Sequence, residues 1–236
     1  MRFDIAVAKL KNISRNKAAE IIKNNGVILN NTLCVKTSQE VGENDEIKII
    51  ERENFVSRSA LKLLYFLEQI NLDIAGFNCL DIGASTGGWT QVLLSKNALR
   101  ITALDIGVNQ LNNLLKTNEK VVNLEKTDIR GFRSPEKFDL VVCDASFISL
   151  EKFIEDIDKN AKEHIILLFK PQFETGRGAK RDKRGVVVDE KAVQNALINF
   201  LETAEKFAWN LIAKSISKVK GKNGNQEYLL YYKKSK

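Results

Sequence analysis

The sequence of 236 residues holds a single histidine, three cysteines and two prolines, and it has no long apolar run. One histidine leaves no material for a His-based catalytic triad or a multi-histidine zinc site. His164 stands at the entrance to the apolar segment IILLF and reads as a surface or strand-edge residue. Cys34, Cys79 and Cys143 are odd in number, widely spaced and set among apolar neighbours. That pattern excludes a disulfide frame and a CxxC metal site, and it fits buried thiols in a reducing compartment. The longest strongly apolar stretch, residues 165–169, is far short of the roughly 20 residues that a membrane helix needs. The opening MRFDIAVAKL lacks the continuous apolar core of a signal peptide. The chain therefore reads as soluble and cytoplasmic, with no membrane partner. Its chemistry must come from Lys, Asp, Glu, backbone groups or a cofactor.

What is present is a balanced globular composition. Apolar residues make up 44% of the chain and charged residues 28%, enough for one large core and a small extra domain, which excludes disorder and fibre. Lys and Arg number 37 against 30 Asp and Glu, for a net charge of +7 and an isoelectric point near 9.2. Such a balance points to an anionic partner such as nucleic acid and says nothing about fold.

Residues 1–50 read as a small unit of their own. Residues 14–24 place Ala18, Ala19, Ile21 and Ile22 at helical spacing behind a capping Ser14 and run out before Gly26. The segments VILNN, TLCVKT and EIKII then read as short strands separated by turn chemistry. Residues 51–56, ERENFV, form a polar linker. From residue 57 to 236, helical and strand patterns alternate, which predicts an α/β fold with helices on both faces of one sheet. Strands are predicted at 79–83, 101–106, 121–124, 139–144, 164–169, 211–217 and 227–232, and helices at 57–70, 90–96, 109–116, 150–159 and 190–207. The last two strands are joined by VKGKNGNQ, too short for a helical crossover, so the seventh strand is expected to run antiparallel to its neighbours.

The most informative segment is LDIGASTGGWTQVLL, residues 80–94. An apolar strand, a loop with Gly83, Gly87 and Gly88, and an amphipathic helix make the geometry that holds a ligand's polar end at a helix N-terminus. The loop is neither GxGxxG nor GxxxxGK[ST], so a dinucleotide or triphosphate cradle fits less well; a tight turn without ligand is the plainer alternative. Asp105 ends the second strand about 20 residues on, where an acid grips a ribose diol. Asp128, after the third strand, is placed to meet an adenine amino group. Asp144 and Lys170 close the fourth and fifth strands, side by side at the sheet's carboxyl edge, although either alone also reads as a strand-terminal charge facing water.

Five segments in order, SRSALKL (57–63), LDIGASTGGWT (80–90), CDASFISL (143–150), LFKPQFETG (168–176) and GNQEYLLYY (224–232), resemble the successive motifs of the TlyA family. These are ribosomal RNA 2′-O-methyltransferases with an FtsJ-like fold, and SRNKAAEIIKNNGVILNN resembles their S4 RNA-binding module. The resemblance implies a Rossmann-like methyltransferase sheet behind an S4-like α+β domain. It also implies S-adenosyl-L-methionine as cofactor, no metal, and a Lys-Asp-Lys-Glu tetrad falling on Lys62, Asp144, Lys170 and Glu227. Without it, Lys62 reads as an exposed helix lysine and Glu227 as a cross-strand ion pair. The family's cofactor loop falls on Gly83 to Trp89, including Ser85 and Gly87, its ribose acid on Asp105 and its adenine contact on Asp128, a position where related sequences can carry Asn.

A ribose 2′-hydroxyl is a poor nucleophile, whereas a sulfonium methyl is already activated, so the protein has mainly to align the oxygen and manage one proton. Lys170 is expected to steer and help deprotonate the hydroxyl while Asp144 and Glu227 hold the two ammonium groups. Residues 170–184 carry a local net charge of +4, and Arg177, Lys180 and Arg181 there are suited to phosphate, as are Arg15, Lys17 and Lys23 in the first unit and Arg58 beyond the linker. Solvated surface charge is the plainer reading of each group. The resemblance is to the shorter form of the family, which implies a cytidine of the large-subunit 23S RNA as substrate and the ribosomal subunit as partner. Three other readings stand against it: a non-catalytic RNA-binding or ribosome-assembly factor; a haemolysin-type pore, which the lack of a membrane segment disfavours; and a methyltransferase for a small molecule, which leaves the S4-like unit and the basic loop unexplained.

Overall fold

The computed structural model describes residues 1–23, 27–30, 32–42, 44–49, 55–221 and 223–235, and the chain divides into two compact units, Met1–Phe55 and Val56–Lys236. The first unit opens with a helix that the sequence patterns above do not predict, α1 (Phe3–Lys11). Phe3, Ala6 and Val7 are buried on one stripe of it, and Asn12 ends it in the left-handed conformation at φ 53°. Helix α2 (Arg15–Lys23) starts where Ser14 Oγ accepts the Lys17 N–H at 3.2 Å. Strands β1 (Val27–Leu29), β2 (Thr32–Leu33) and β3 (Ile47–Ile49) form an antiparallel sheet in the order β2-β1-β3. Phe3, Val7, Ala18, Ile22, Val27 and Val41 make a single core cluster, each large side chain contributing roughly 1.5–3 kcal/mol. The predicted helix end at residue 24, residues 31 and 50 of the predicted strands, and 51–54 of the predicted linker lie outside the described residues.

The second unit is a seven-stranded sheet. Its strands are β4 (Asn78–Ile82), β5 (Arg100–Leu104), β6 (Val121–Leu124), β7 (Phe138–Cys143), β8 (Ala161–Phe169), β9 (Trp209–Ile216) and β10 (Tyr228–Lys234), in the order β6-β5-β4-β7-β8-β10-β9. The five strands β4 to β8 pair in parallel, and β10 is antiparallel to both β8 and β9, as the short connection requires. Helices α3 (Ala60–Ile70), α4 (Gly88–Ser95), α5 (Asn113–Lys116), α6 (Ile154–Asn160), α7 (Pro171–Glu174) and α8 (Glu190–Glu205) accompany it. The main core runs from Leu80, Val141 and Ile165 in the sheet to Ile157, Leu197 and Phe200 in the helices.

Three local departures from the predicted elements have visible causes. The helix expected at 109–116 is confined to α5, because Asn109 sits at φ 54° and Asn112 caps a new start by accepting the Leu114 N–H at 2.9 Å. The helix expected at 150–159 splits at Phe153 (φ −145°) into a 3-10 turn, Leu150–Lys152, and α6. His164 is buried, not at a surface or strand edge. It lies on β8 between two other strands, stacked on Phe77 and Tyr231 with ring centroids 5.4 and 5.9 Å away, and its Nδ1 is 2.8 Å from the Tyr231 hydroxyl. Burial lowers its pKa. No helix of the described residues is long and apolar enough to cross a membrane.

Two features of this topology position the site. The strand order reverses around β4 and β7, which opens a crevice at their carboxyl ends. The antiparallel register pairs Tyr228 with Phe169, so the residue before β10, Glu227, comes beside the residue after β8, Lys170.

Candidate active site

Lys62, Asp144, Lys170 and Glu227 line one cavity of about 610 Å³. They meet there from α3, the end of β7, the end of β8 and the start of β10. Lys170 Nζ lies 2.6 Å from Asp144 Oδ1 and also donates to Ser146 Oγ at 2.8 Å and the Asp144 carbonyl at 3.1 Å. Lys62 Nζ lies 2.5 Å from Glu227 Oε2. Lys62, Lys170 and Glu227 are buried. A buried charge without a partner costs several kcal/mol, so two cations held at such depth require the two carboxylates. Lys62 is carried into the cavity because Ala60, Leu61, Leu63, Phe66 and Leu67 bury their helix from both sides. Trp89, itself buried, fastens the start of that helix by donating its indole N–H to the Ser59 carbonyl at 2.9 Å.

The glycine-rich loop forms the wall between this cavity and a second one of about 490 Å³, and Gly83, Ser85, Asp144, Ser146 and Phe147 line both. Gly83 is obligatory: its φ is +77°, and a Cβ there would stand 2.9 Å from the Ala145 Cα. Gly87, at φ 94°, takes the N-cap position of α4. Asp105 follows β5 and accepts the backbone N–H of Ser85 at 2.8 Å and of Gly107 at 2.7 Å, which holds Ser85 at φ 48°. The second cavity is walled by Ile106, Ile129, Phe147 and Phe153, with Asp105 and Asp128 at its polar margin. Apolar walls with two acids suit a purine nucleoside. Asp128 is gripped by Arg130 through Nε at 3.1 Å and the terminal nitrogen at 2.6 Å, which lowers its pKa.

Two further carboxyls sit under the site. Asp81, on β4, is fully buried; burial raises its pKa to about 7, even though Thr90 Oγ1 donates to it at 2.6 Å. Glu174, on α7, accepts the Leu150 N–H at 3.1 Å, and burial raises its pKa to about 7. It thereby ties α7, just beyond Lys170, to the loop that carries Ser146 and Phe147.

The expected RNA-contact residues divide by environment. Lys23, Arg58, Arg177 and Lys180 are exposed. In the first unit Arg15 Nε donates to Asp4 Oδ2 at 3.0 Å, and Lys17 pairs with Glu20 at 3.0 Å. Arg181 is exposed, but one of its guanidinium nitrogens donates to the carbonyls of Gln172 at 3.2 Å and Gly176 at 3.0 Å, bracing the end of α7. Residues that sequence reasoning missed are Ser59, Ser146 and Gln172. All three lie inside the family-like motifs, SRSALKL, CDASFISL and LFKPQFETG, yet nothing local marks them as members of the site.

The FtsJ-like methyltransferase family model matches residues 55–234, and the S4 domain model matches residues 1–47. The chain is 47% identical to a 23S rRNA (cytidine-2′-O)-methyltransferase TlyA of Campylobacter jejuni, with all of both chains covered. It is 36% identical to a 16S/23S rRNA (cytidine-2′-O)-methyltransferase TlyA of Mycobacterium tuberculosis, covering 92% of this chain and 84% of the relative. Among solved structures, one from Streptococcus thermophilus that is described as a hemolysin superposes with a TM-score of 0.73 at 27% identity, over 100% of this chain and 88% of that one. With the methyltransferase model spanning most of its length and a relative of equal extent at 47% identity, the chain belongs to the TlyA family of FtsJ-like methyltransferases.

Proposed function

We propose that this chain transfers a methyl group from S-adenosylmethionine to the 2′-hydroxyl of a cytidine ribose in ribosomal RNA, with the large-subunit 23S RNA as substrate. The observation that carries the reading is the meeting of two ammonium–carboxylate pairs, the partly buried Lys170–Asp144 and the buried Lys62–Glu227, in one cavity that shares a wall with a nucleoside-sized cavity behind the glycine-rich loop. The names of the relatives support the substrate class.

The residues present fit the cofactor. Asp105 would hold its ribose hydroxyls and Asp128 would meet the adenine edge, while Gly83, Ser85, Gly87 and Trp89 would hold its remainder. When bound, S-adenosylmethionine supplies a methyl group already activated by a positive sulfur. The protein's own work is then alignment and proton handling. A ribose hydroxyl in the first cavity meets Lys170, which orients the oxygen and, when neutral, takes its proton. Asp144 fixes the direction of that ammonium group. Lys62, anchored by Glu227, adds a second positive charge where the oxygen becomes negative. The exposed cations Arg177, Lys180 and Arg181 are suited to the RNA backbone near the site, Arg58 likewise, and Arg15, Lys17 and Lys23 to a structured RNA element held by the S4 domain. A 2′-hydroxyl target selects RNA over DNA.

The test is transfer of tritium from methyl-labelled S-adenosylmethionine to purified 23S RNA and to isolated large subunits, followed by digestion to nucleosides. Label in 2′-O-methylcytidine is the expected result. Label in a base-methylated nucleoside, or none in either substrate, contradicts the proposal.

A further inference from the structure

Each carboxylate of the tetrad is held twice, and by the same plan. Asp144 gives Oδ1 to Lys170 at 2.6 Å, and its Oδ2 accepts the Ser59 hydroxyl. Glu227 gives Oε2 to Lys62 at 2.5 Å, and its Oε1 accepts the Gln172 side-chain N–H at 3.1 Å. One oxygen faces an ammonium group and the other a neutral donor in both cases. We infer that Ser59 and Gln172 are positioning residues that fix the two carboxylates, and through them Lys170 and Lys62, for the methyl transfer proposed above; the inference rests on that reading.

Local structure argues for both assignments. Ser59 immediately precedes α3, but its backbone is already helical (φ −61°, ψ −31°), not the extended conformation in which a serine hydroxyl caps the first turn, so its side chain is free for another partner. Here it makes no capping bond and is spent on a carboxylate 85 residues away in sequence. Its backbone is held meanwhile by the Trp89 indole.

Gln172 follows Pro171 on α7. Its Oε1 is buried without a partner among the described residues, an arrangement native proteins rarely tolerate. Flipping the amide would set that oxygen against the Glu227 carboxylate, so only one orientation satisfies the charged neighbour. Gly221 closes the third side, since a Cβ there would fall 2.5 Å from Glu227 Oε1. A carboxylate with a free second oxygen can rotate and draw on either ammonium group. Neutral donors stop that rotation without changing the balance of two positive and two negative charges.

The experiment compares Ser59→Ala, Ser59→Thr, Gln172→Met and Gln172→Glu in the full chain, using methyl transfer to rRNA. Ser59→Ala and Gln172→Met should each lower kcat about tenfold, with the KM for RNA and the affinity for S-adenosylmethionine within about twofold. Ser59→Thr keeps the hydroxyl and should recover most of the loss. Gln172→Glu sets a second carboxylate against Glu227 and should fall below Gln172→Met. Unchanged kcat in Ser59→Ala and Gln172→Met, or a loss confined to KM, overturns the inference. Should the unmodified chain transfer no methyl to any rRNA, the functional reading itself fails. The clamp is then judged on the crystal structure of Ser59→Ala: an Asp144 carboxylate turned away from Lys170 supports it, and one unmoved overturns it.

Discussion

Two buried carboxylate clusters, one in each unit, treat their cations in opposite ways. In the N-terminal unit Asp4 is buried, but its partners Arg2 and Arg15 keep 44% and 55% of their side chains in water. In the methyltransferase unit the cations themselves are buried, Lys62 at 9% and Lys170 at 7% exposure, against acids at 2% and 15%. The first cluster offers positive charge outward, as the proposed RNA contact at Arg15 needs. The second sums to zero and withholds its ammonium groups from bulk phosphate, which fits the proposed role of meeting one hydroxyl. Exposure separates the two roles where residue type does not.

The sharpest way to break this contrast is Lys170→Ala. Methyl transfer should fall at least about a thousandfold while RNA affinity, measured by filter binding, stays within about threefold; a parallel loss of RNA affinity would mean that the buried lysine serves as a phosphate contact after all. Gly83→Ala comes next. A Cβ 2.9 Å from the Ala145 backbone at φ +77° should cost about 1–3 kcal/mol of stability in denaturant titration, and calorimetry should find cofactor binding weakened, with no such effect from an alanine at Gly178, where a Cβ meets nothing. The exposed cations should behave in the reverse sense to Lys170. Arg177→Ala and Lys180→Ala should raise the KM for RNA, leave kcat nearly unchanged and each reduce the slope of log affinity against log salt by about 0.7–0.9. An unaltered slope would remove them from the RNA contact.

The smallest effect concerns Asp4. The side-chain bond from Arg2 lowers its pKa from 3.8 to about 2. A depressed acid contributes stability that is fully present above its unfolded value and fades as pH falls through the folded one, so the contribution should disappear between about pH 4 and pH 2. Thermal melts of the full chain and of Asp4→Asn should converge across that window; melts that stay parallel would show that the two arginines lend Asp4 no stability.

Much of the site was legible in the sequence because strand ends announce themselves. Asp105, Asp144 and Lys170 follow apolar runs directly, and the glycine-rich loop lies between a strand and a helix. Lys62 and Glu227 were legible only through the family resemblance. Their meeting depends on the placement of α3 and on the antiparallel register of β10 with β8, neither of which leaves a local pattern. Ser59 and Gln172 were not legible at all, since the bonds that matter reach across 85 and 55 residues. Helix α1 went unpredicted although Phe3, Ala6 and Val7 carry the right spacing, because its one turn of apolar stripe is short. His164 was misplaced because aromatic neighbours brought by the fold, Phe77 and Tyr231, bury a residue that the local sequence sets at a strand entrance.

The most direct measurement is a map of 2′-O-methylation across ribosomal RNA from cells lacking this protein, restored either with the unmodified gene or with Lys170→Ala. One cytidine site in 23S RNA should vanish on deletion, return with the unmodified chain and stay absent with the variant. A map that deletion leaves intact, or a site that the variant restores in full, would contradict the claim that the buried tetrad performs the transfer.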